Sequence, residues 1–208
     1  MTLAKTERAA LADLFLTLGP DQPTLDEGWE TKDLLIHLLV RENRFDAVLG
    51  RFVSPLQGWA EQVEAGYAKR PWSALIDEYR SGPPAWNPMG WGKLDEISNG
   101  GEMFIHHEDA RRGQPGWKPR EYDAATAAEL DKMVSSGWTK FMMRKSKVGV
   151  LAQLPDRTIT LKVGEPAVTL IGAPGEVILW TSGRTAVEVE LTGDDQAVAS
   201  LMELSRGM

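Results

Sequence analysis

Two of the three histidines in the chain lie in one stretch, residues 99–120, beside a carboxylate that could share a metal ion with them. Glu102 precedes His106 by four residues. On a helix, positions i and i+4 lie on one face with Cβ atoms about 5–6 Å apart. That spacing lets one ion reach both side chains, because zinc lies about 2 Å from each ligand atom. His107 would point about 100° away from His106, so His106 is the predicted ligand.

The third histidine, His37, lies far upstream, at the edge of a leucine stripe in another predicted helix. We expect the fold to bring it to the face that carries Glu102 and His106. Two histidines and one carboxylate with an open position form a recurrent catalytic zinc shell. The same set suits non-haem Fe(II) or another divalent ion. Spacing alone leaves two structural interpretations open, a hydrogen-bonded pair on one helix and a core histidine with its polar atoms satisfied.

Other polar residues near this motif have weaker functional interpretations. Asp95 and Asp109 fall on the face of Glu102 and His106, where either could act as a base toward water, and Asp109 or His107 could complete a closed shell. The charges at residues 108–112 are predicted to form a solvated helix end, with Arg111 and Arg112 complementing the helix dipole.

Arg184 directly follows Gly183 after a short predicted helix. One interpretation is a glycine cap followed by an exposed arginine. The other is an arginine aimed at a substrate carboxylate, for which its planar guanidinium is suited. The pattern does not decide between them.

Composition narrows the classes of function. The chain has 208 residues and a formal net charge of −7, which disfavours a nucleic-acid-binding face. Its apolar runs are too short to span a bilayer, and its first residues lack the apolar core of a secretory signal, so we expect a cytoplasmic protein. With no cysteine, disulfides, cysteine-ligated zinc and a cysteine nucleophile are excluded. Any thiol chemistry would need a bound small molecule.

Hydrophobic periodicity predicts a helical first part and a small α+β unit after it, divided near residue 145 into domains 1–145 and 146–208. The predicted helices cover residues 3–18, 30–50, 56–69, 71–79, 92–112 and 123–144. The predicted strands cover residues 157–163, 167–172 and 185–193, with helices beginning at Pro174 and after Asp194.

Three stretches resemble a known family. They read GWETKDLLIHLL from Gly28, EMFIHHEDARRGQPGWKPR from Glu102, and PGEVILWTSGR from Pro174, followed by LTGDDQAV. The first resembles the second helix of DinB-like metal-binding four-helix bundles. The second is similar to a later helix in metal-binding relatives of mycothiol-dependent maleylpyruvate isomerase. The third resembles the small sterol-carrier-like α+β domain of that group.

The resemblance implies a metal shell of His37, Glu102 and His106, with zinc expected first and Ni, Fe or Mn as alternatives. It also implies mycothiol or a similar thiol, a small electrophilic substrate, and isomerase or S-transferase chemistry in a monomer or homodimer. By the same resemblance, Arg184 would be the arginine that the C-terminal domain contributes to the active cleft. The proline- and tryptophan-rich loop before residue 92 departs from the isomerase and leaves the substrate open. The alternatives are a hydrolase using metal-activated water and a non-catalytic binding protein.

Overall fold

A computed structural model describes residues 2–50, 56–87 and 91–206, giving only the backbone for residues 45, 49, 50 and 92–98. The chain forms two compact units, Met1–Trp117 and Lys118–Met208. Among the described residues, no helix has the length and apolar content needed to cross a membrane.

The elements of the first unit are α1 (Leu3–Leu18), α2 (Thr31–Asn43), α3 (Phe45–Gly50), α4 (Gln57–Ala68), α5 (Trp72–Ser81) and α6 (Gly92–Arg112). Those of the second are α7 (Ala124–Val134), α8 (Gly137–Met142), a 3₁₀ turn (Met143–Lys145), β1 (Gly149–Gln153), β2 (Thr158–Lys162), β3 (Ala167–Gly172), α9 (Pro174–Thr181), β4 (Val189–Thr192) and α10 (Asp195–Met202).

Four helices of the first unit, α1, α2, α5 and α6, pack against one another as a bundle, and α3 and α4 are inserted between α2 and α5. The apolar stripes of these helices meet in one core, because burying them removes their surface from water. The largest wholly buried apolar side chains include Phe15, Leu35, Leu38, Tyr79 and Met103. The fold class predicted from the sequence, a helical bundle followed by an α+β unit, is confirmed.

The helix that carries His37 is shorter than predicted. It begins with a capping box between Glu30 and Asp33, and it ends at Asn43 rather than near residue 50. The Glu42 carbonyl accepts a 2.6 Å hydrogen bond from the side chain of Asn87, a residue outside this helix. Arg44 then leaves the helical conformation, with φ −135° and ψ 65°.

The second unit contains a four-stranded mixed sheet in the order β2-β1-β3-β4. The pairing of β1 with β3 is parallel, and both outer pairings are antiparallel. Strand β1 was not predicted, because it lies between two strands and three of its five residues are buried, so it lacks a polar/apolar alternation. The predicted strand at 185–193 forms its ladder only over Val189–Thr192.

The predicted helix over 123–144 is interrupted. Asp123 caps α7 as expected, but the helix ends at Val134. The Ser136 hydroxyl accepts a hydrogen bond from the Trp138 N–H and begins α8. Helix α7 packs against α9, and both helices lie in the second compact unit.

Candidate metal centre

Helices α2 and α6 bring the three predicted ligands together. One ligand atom from each of His37, Glu102 and His106 lies within 4.8 Å of the others. The Nε2 atom of His106 is 3.5 Å from the Glu102 Oε2 atom. The ring centroids of His37 and His106 are 5.2 Å apart, with the rings at 70° to each other. The bundle therefore brings together residues from two helices that are far apart in the sequence.

The donor set and its spacing fit a divalent metal. Two ligand atoms at about 2.05 Å from a tetrahedral ion are about 3.3 Å apart, close to the 3.5 Å between Glu102 and His106. The Nδ1–H of His106 can donate to Asp109 Oδ2 at 2.9 Å. When the ring is neutral, this contact favours the tautomer whose Nε2 lone pair is directed toward Glu102. A carboxylate behind a histidine is the usual way in which proteins orient a metal-binding imidazole.

The packing of the loop before α2 against the end of α6 places Asp109. The Leu25 N–H donates to the Asp109 carbonyl at 3.1 Å, and the Gln114 amide donates to the Pro23 carbonyl at 2.9 Å. Gly113 permits this approach, because an added Cβ would lie 2.4 Å from the Pro23 oxygen. The close contact holds the end of α6, and with it the carboxylate behind His106.

Helix α2 supplies a cation beside the carboxylate ligand. Arg41 lies one turn after His37 and places its Nε atom 3.5 Å from Glu102 Oε2. Its Nη1 atom donates to the Asn99 side-chain oxygen at 2.5 Å. On the other side, the Trp29 ring lies 5.2 Å from the His37 ring. Of the candidate ligands, Glu102 is thus held by Arg41, and His37 is held by Trp29.

The charges of the site shift the pKa values of its two ligands on α6. Burial alone would raise the pKa of Glu102, but the His106 hydrogen bond and the Arg41 charge outweigh it and lower that pKa to about 2. Burial would lower the pKa of His106, but Asp109 and Glu102 raise it to about 9. The site therefore pairs a carboxylate with an imidazolium, and a metal ion bound there would have to displace the proton from His106.

A second group with ligand atoms close together consists of Asp26, His106 and Asp109. It uses the other ring nitrogen, Nδ1, which lies 3.8 Å from Asp26 and 2.9 Å from Asp109. A separation of 2.9 Å is the length of a hydrogen bond and is shorter than the edge of a tetrahedral zinc shell. This spacing favours a role for Asp26 and Asp109 in supporting His106 over a second metal site.

His107 belongs to neither of these two groups of ligand atoms. Its Nδ1 atom contacts Glu7 of α1 at 2.7 Å. The predicted solvated helix end was wrong, because Glu108 is wholly buried and binds Arg112 at 2.6 Å. The Arg112 guanidinium lies 4.6 Å from the Trp117 ring centre. The end of α6 is thus a buried ion-pair cluster.

Arg184 lies in the second unit, at the end of α9. Gly183 has φ 95°, and the Arg184 N–H donates to the Leu179 carbonyl, the pattern of a Schellman cap. The Arg184 guanidinium donates to the Ser182 carbonyl at 3.0 Å. The capping interpretation of the glycine is confirmed, and the catalytic role of Arg184 stays a prediction. The side chain of Asp95, the other candidate base, lies outside the described residues.

Sequence reasoning assigned no role to Arg41 or Asp26, and it treated Asp109 as a base toward water or a fourth ligand rather than as the partner of His106 Nδ1. Arg41 follows His37 by four residues, and Asp109 follows His106 by three, so both share a helical face with a ligand. That spacing is the signal from which both contacts could have been inferred. Asp26 carries no such signal, because it lies in a loop whose path depends on packing against α6.

The fold and the site together define a helical-bundle protein with a candidate two-histidine, one-carboxylate metal centre, followed by an α+β unit. The structure is similar to the crystal structure of the mycothiol-dependent maleylpyruvate isomerase, with a TM-score of 0.58 and 13% identity, covering 91% of this chain and 90% of that one. A histidine-to-alanine mutant of that enzyme gives the same values. At this identity the likeness shows a shared fold. No protein-family model matches the sequence, and the curated proteins give no significant match.

Proposed function

We propose that the protein is a metal-dependent enzyme that uses mycothiol or a similar small thiol on a small electrophilic substrate, as an isomerase or an S-transferase. The proposed ion is divalent and bound by His37, Glu102 and His106, with zinc expected first. The observation that carries the proposal is the convergence of these three ligand atoms within 4.8 Å, on the fold of a mycothiol-dependent isomerase.

A divalent metal at this position would lower the pKa of a bound thiol, so that the thiolate forms near neutral pH. Each protein group would have a distinct role in binding the metal that lowers the pKa of the thiol. Glu102 supplies one negative charge, and the two imidazoles supply neutral nitrogen donors. Asp109 holds the proton on Nδ1 of His106 and leaves Nε2 for the ion. Arg41 holds the Glu102 carboxylate in place.

Thiol chemistry in this protein needs an external thiol, because the chain has no cysteine. The thiolate sulfur would form a bond to an electrophilic carbon, and the displaced π electron pair would move to the electron-withdrawing group of the substrate. In an isomerase, the same C–S bond breaks after rotation and the thiol is recovered. In an S-transferase, a proton quenches the carbanion and the C–S bond remains.

Arg184 is proposed as a group that assists the reaction without binding the ion. The Arg184→Ala variant should then retain the zinc affinity of the wild type and lose turnover. An Arg184→Lys variant, which keeps the charge, should recover part of the lost rate. Equal turnover in all three proteins would remove Arg184 from the proposal.

The proposal is tested with zinc-loaded protein, maleylpyruvate and a panel of small thiols that includes mycothiol. We expect consumption of the electrophile only when a thiol is present, and loss of turnover in Glu102→Gln. Product analysis then separates an isomer from a thioether. Turnover that is independent of thiol would contradict the proposal and indicate metal-activated water.

A further inference from the structure

A groove is lined mainly by residues of α4, and none of its lining residues belongs to the candidate metal centre. Its volume is about 350 Å³, within the range of small-molecule sites. Arg44, at the end of α2, forms one part of its wall. Arg44 follows His37 by seven positions, which corresponds to about 10 Å along a helix. The groove is therefore a second candidate site in the first unit.

The Arg44 wall is fixed by a carboxylate and an aromatic ring. The Nε and Nη2 atoms of Arg44 donate to the two oxygens of Asp46 at 3.0 and 2.7 Å. Its guanidinium carbon lies 5.2 Å from the Trp59 ring centre. The Trp59 indole N–H donates to the same Asp46 carboxylate at 2.8 Å. This network holds the guanidinium in one orientation, which lowers the entropic cost of binding a ligand.

A second arginine in the lining is held in the same manner. Arg70 Nη2 lies 2.5 Å from Glu78 Oε2, and the Arg70 guanidinium carbon lies 5.1 Å from the Tyr67 ring centre. The Tyr67 hydroxyl donates to Glu78 at 3.3 Å, and Asn43 donates to the same carboxylate at 2.6 Å. The groove therefore contains two pre-oriented guanidinium groups, each resting on a ring.

Donors remain for a ligand on both arginines. Within the described part of the chain, Arg44 Nη1 and Arg70 Nε and Nη1 make no hydrogen bond to protein, and neither does the Gln62 amide. The buried Val63 gives the groove an apolar patch. Gly66 adds open space to the lining, because nothing lies within 4 Å of a Cβ built there.

We propose that this groove binds a small organic oxyanion, a carboxylate or a phosphate monoester, with a compact planar or apolar body. The planar N–H groups of the arginines match the oxygens of such an anion, and Val63 would contact the apolar part of the ligand. Because Asp46 and Glu78 balance the two arginine charges, we expect weak binding, with dissociation constants of about 0.1–1 mM.

The test is calorimetric titration of the full-length protein, with and without zinc, using benzoate and phenyl phosphate, and benzamide as the neutral control. Both anions, or one of them, should bind at one site independently of zinc, at least about tenfold more tightly than benzamide. Binding of one anion alone identifies the oxyanion class. Absence of saturable binding by either, or equal binding of benzamide, would overturn the proposal.

Two glycines of the same helix give a matched pair of variants. Gly66→Leu should fill the groove and weaken anion binding at least about tenfold, since it occupies the space of the ligand. Gly58→Leu also enters open space but does not line the groove, and it should bind as the wild type does. Unchanged binding in a folded Gly66→Leu protein would refute the assignment.

If Gly66→Leu does not fold, two charge variants test the groove instead. Arg70→Gln removes one guanidinium of the groove, whereas Arg80→Gln removes an exposed arginine that pairs with Asp13 elsewhere. The first should weaken binding of the anions and the second should not. Equal effects would mean that the anion is attracted by overall charge and not by the groove.

Discussion

The hydrogen bond on Nδ1 of His106 decides which nitrogen of that ring can bind a metal. Asp109 lies 2.9 Å from Nδ1, and Glu102 lies 3.5 Å from Nε2. The first distance suits a shared proton and the second suits a shared ion. At the scale of single residues, the site is thus an imidazole with one carboxylate beside Nδ1 and another beside Nε2.

Two isosteric substitutions separate these roles. Asp109→Asn should lower zinc affinity by about 10–100-fold, because it removes the negative charge that orients His106. Glu102→Gln should lower it further, because it removes a ligand. Competition with a chelator of known affinity measures both. If Glu102→Gln retains wild-type affinity while Asp109→Asn abolishes binding, the ion lies on the Asp26 side of the ring.

The pKa shifts predict how pH acts on the metal-free protein. The raised pKa of His106, about 9, stabilises the fold fully below its ordinary value of 6.5, and this contribution is lost as pH rises through 9. The lowered pKa of Glu102 stabilises the fold above its ordinary value of 4.5, and that contribution is lost as pH falls toward 2. The difference in melting temperature between wild type and His106→Gln should therefore shrink from pH 6.5 to 9.

Zinc should reverse that trend. Its binding needs the neutral ring, so the rise in melting temperature produced by zinc should grow over the same pH interval. Thermal unfolding of both proteins, with zinc and with chelator, provides the comparison. A difference between the metal-free proteins that does not change with pH would show that His106 is not an imidazolium in the metal-free site.

At the scale of elements, a buried ion pair joins α1 to α2, the helix that carries His37. Arg8 donates to both oxygens of Glu42 at 2.6 Å, and its guanidinium carbon lies 5.2 Å from the Tyr79 ring centre. The side chains of Arg8 and Glu42 are only 6% and 2% exposed. Removing one partner leaves the other charge buried without its counter-ion, which is costly.

The variant Arg8→Met should therefore lower the free energy of unfolding by about 3–5 kcal/mol. The double variant Arg8→Met/Glu42→Leu should recover much of that loss, because no uncompensated charge remains. Urea unfolding of the wild type, both single variants and the double variant completes the cycle. Additive losses in the double variant would contradict the pairing.

A second contact between elements, at Gly113, is equally specific. Alanine at this position would place its Cβ 2.4 Å from the Pro23 carbonyl, so backbone must move. Gly113→Ala should cost about 1–3 kcal/mol of stability and weaken zinc binding through Asp109. Gly66→Ala, in open space on α4, is the control and should be neutral or stabilising. Equal stability of both variants, measured by urea unfolding, would show that the loop before α2 moves at little cost in free energy.

At the scale of the whole molecule, periodic apolar patterns were sufficient to predict the helical first part and the α+β second part, whereas the three candidate ligands came from the Glu102/His106 spacing and the family resemblance. Features that depend on contacts distant in sequence were missed. Strand β1 has no alternation because it is buried between neighbours, and α2 ends at Asn43 where Asn87 meets the Glu42 carbonyl. The burial of Glu108 was missed because the approach of Arg112 and Trp117 is set by packing.

The central claim is that three residues from two helices share one ion, and zinc stoichiometry tests it most directly. Purified wild type should bind one zinc per chain, and so should His107→Gln, which alters the neighbouring histidine outside the site. His37→Ala, Glu102→Ala and His106→Ala should each lose the bound zinc while keeping their helical content. Full retention of stoichiometric zinc in these three variants, or no zinc in the wild type, would contradict the account.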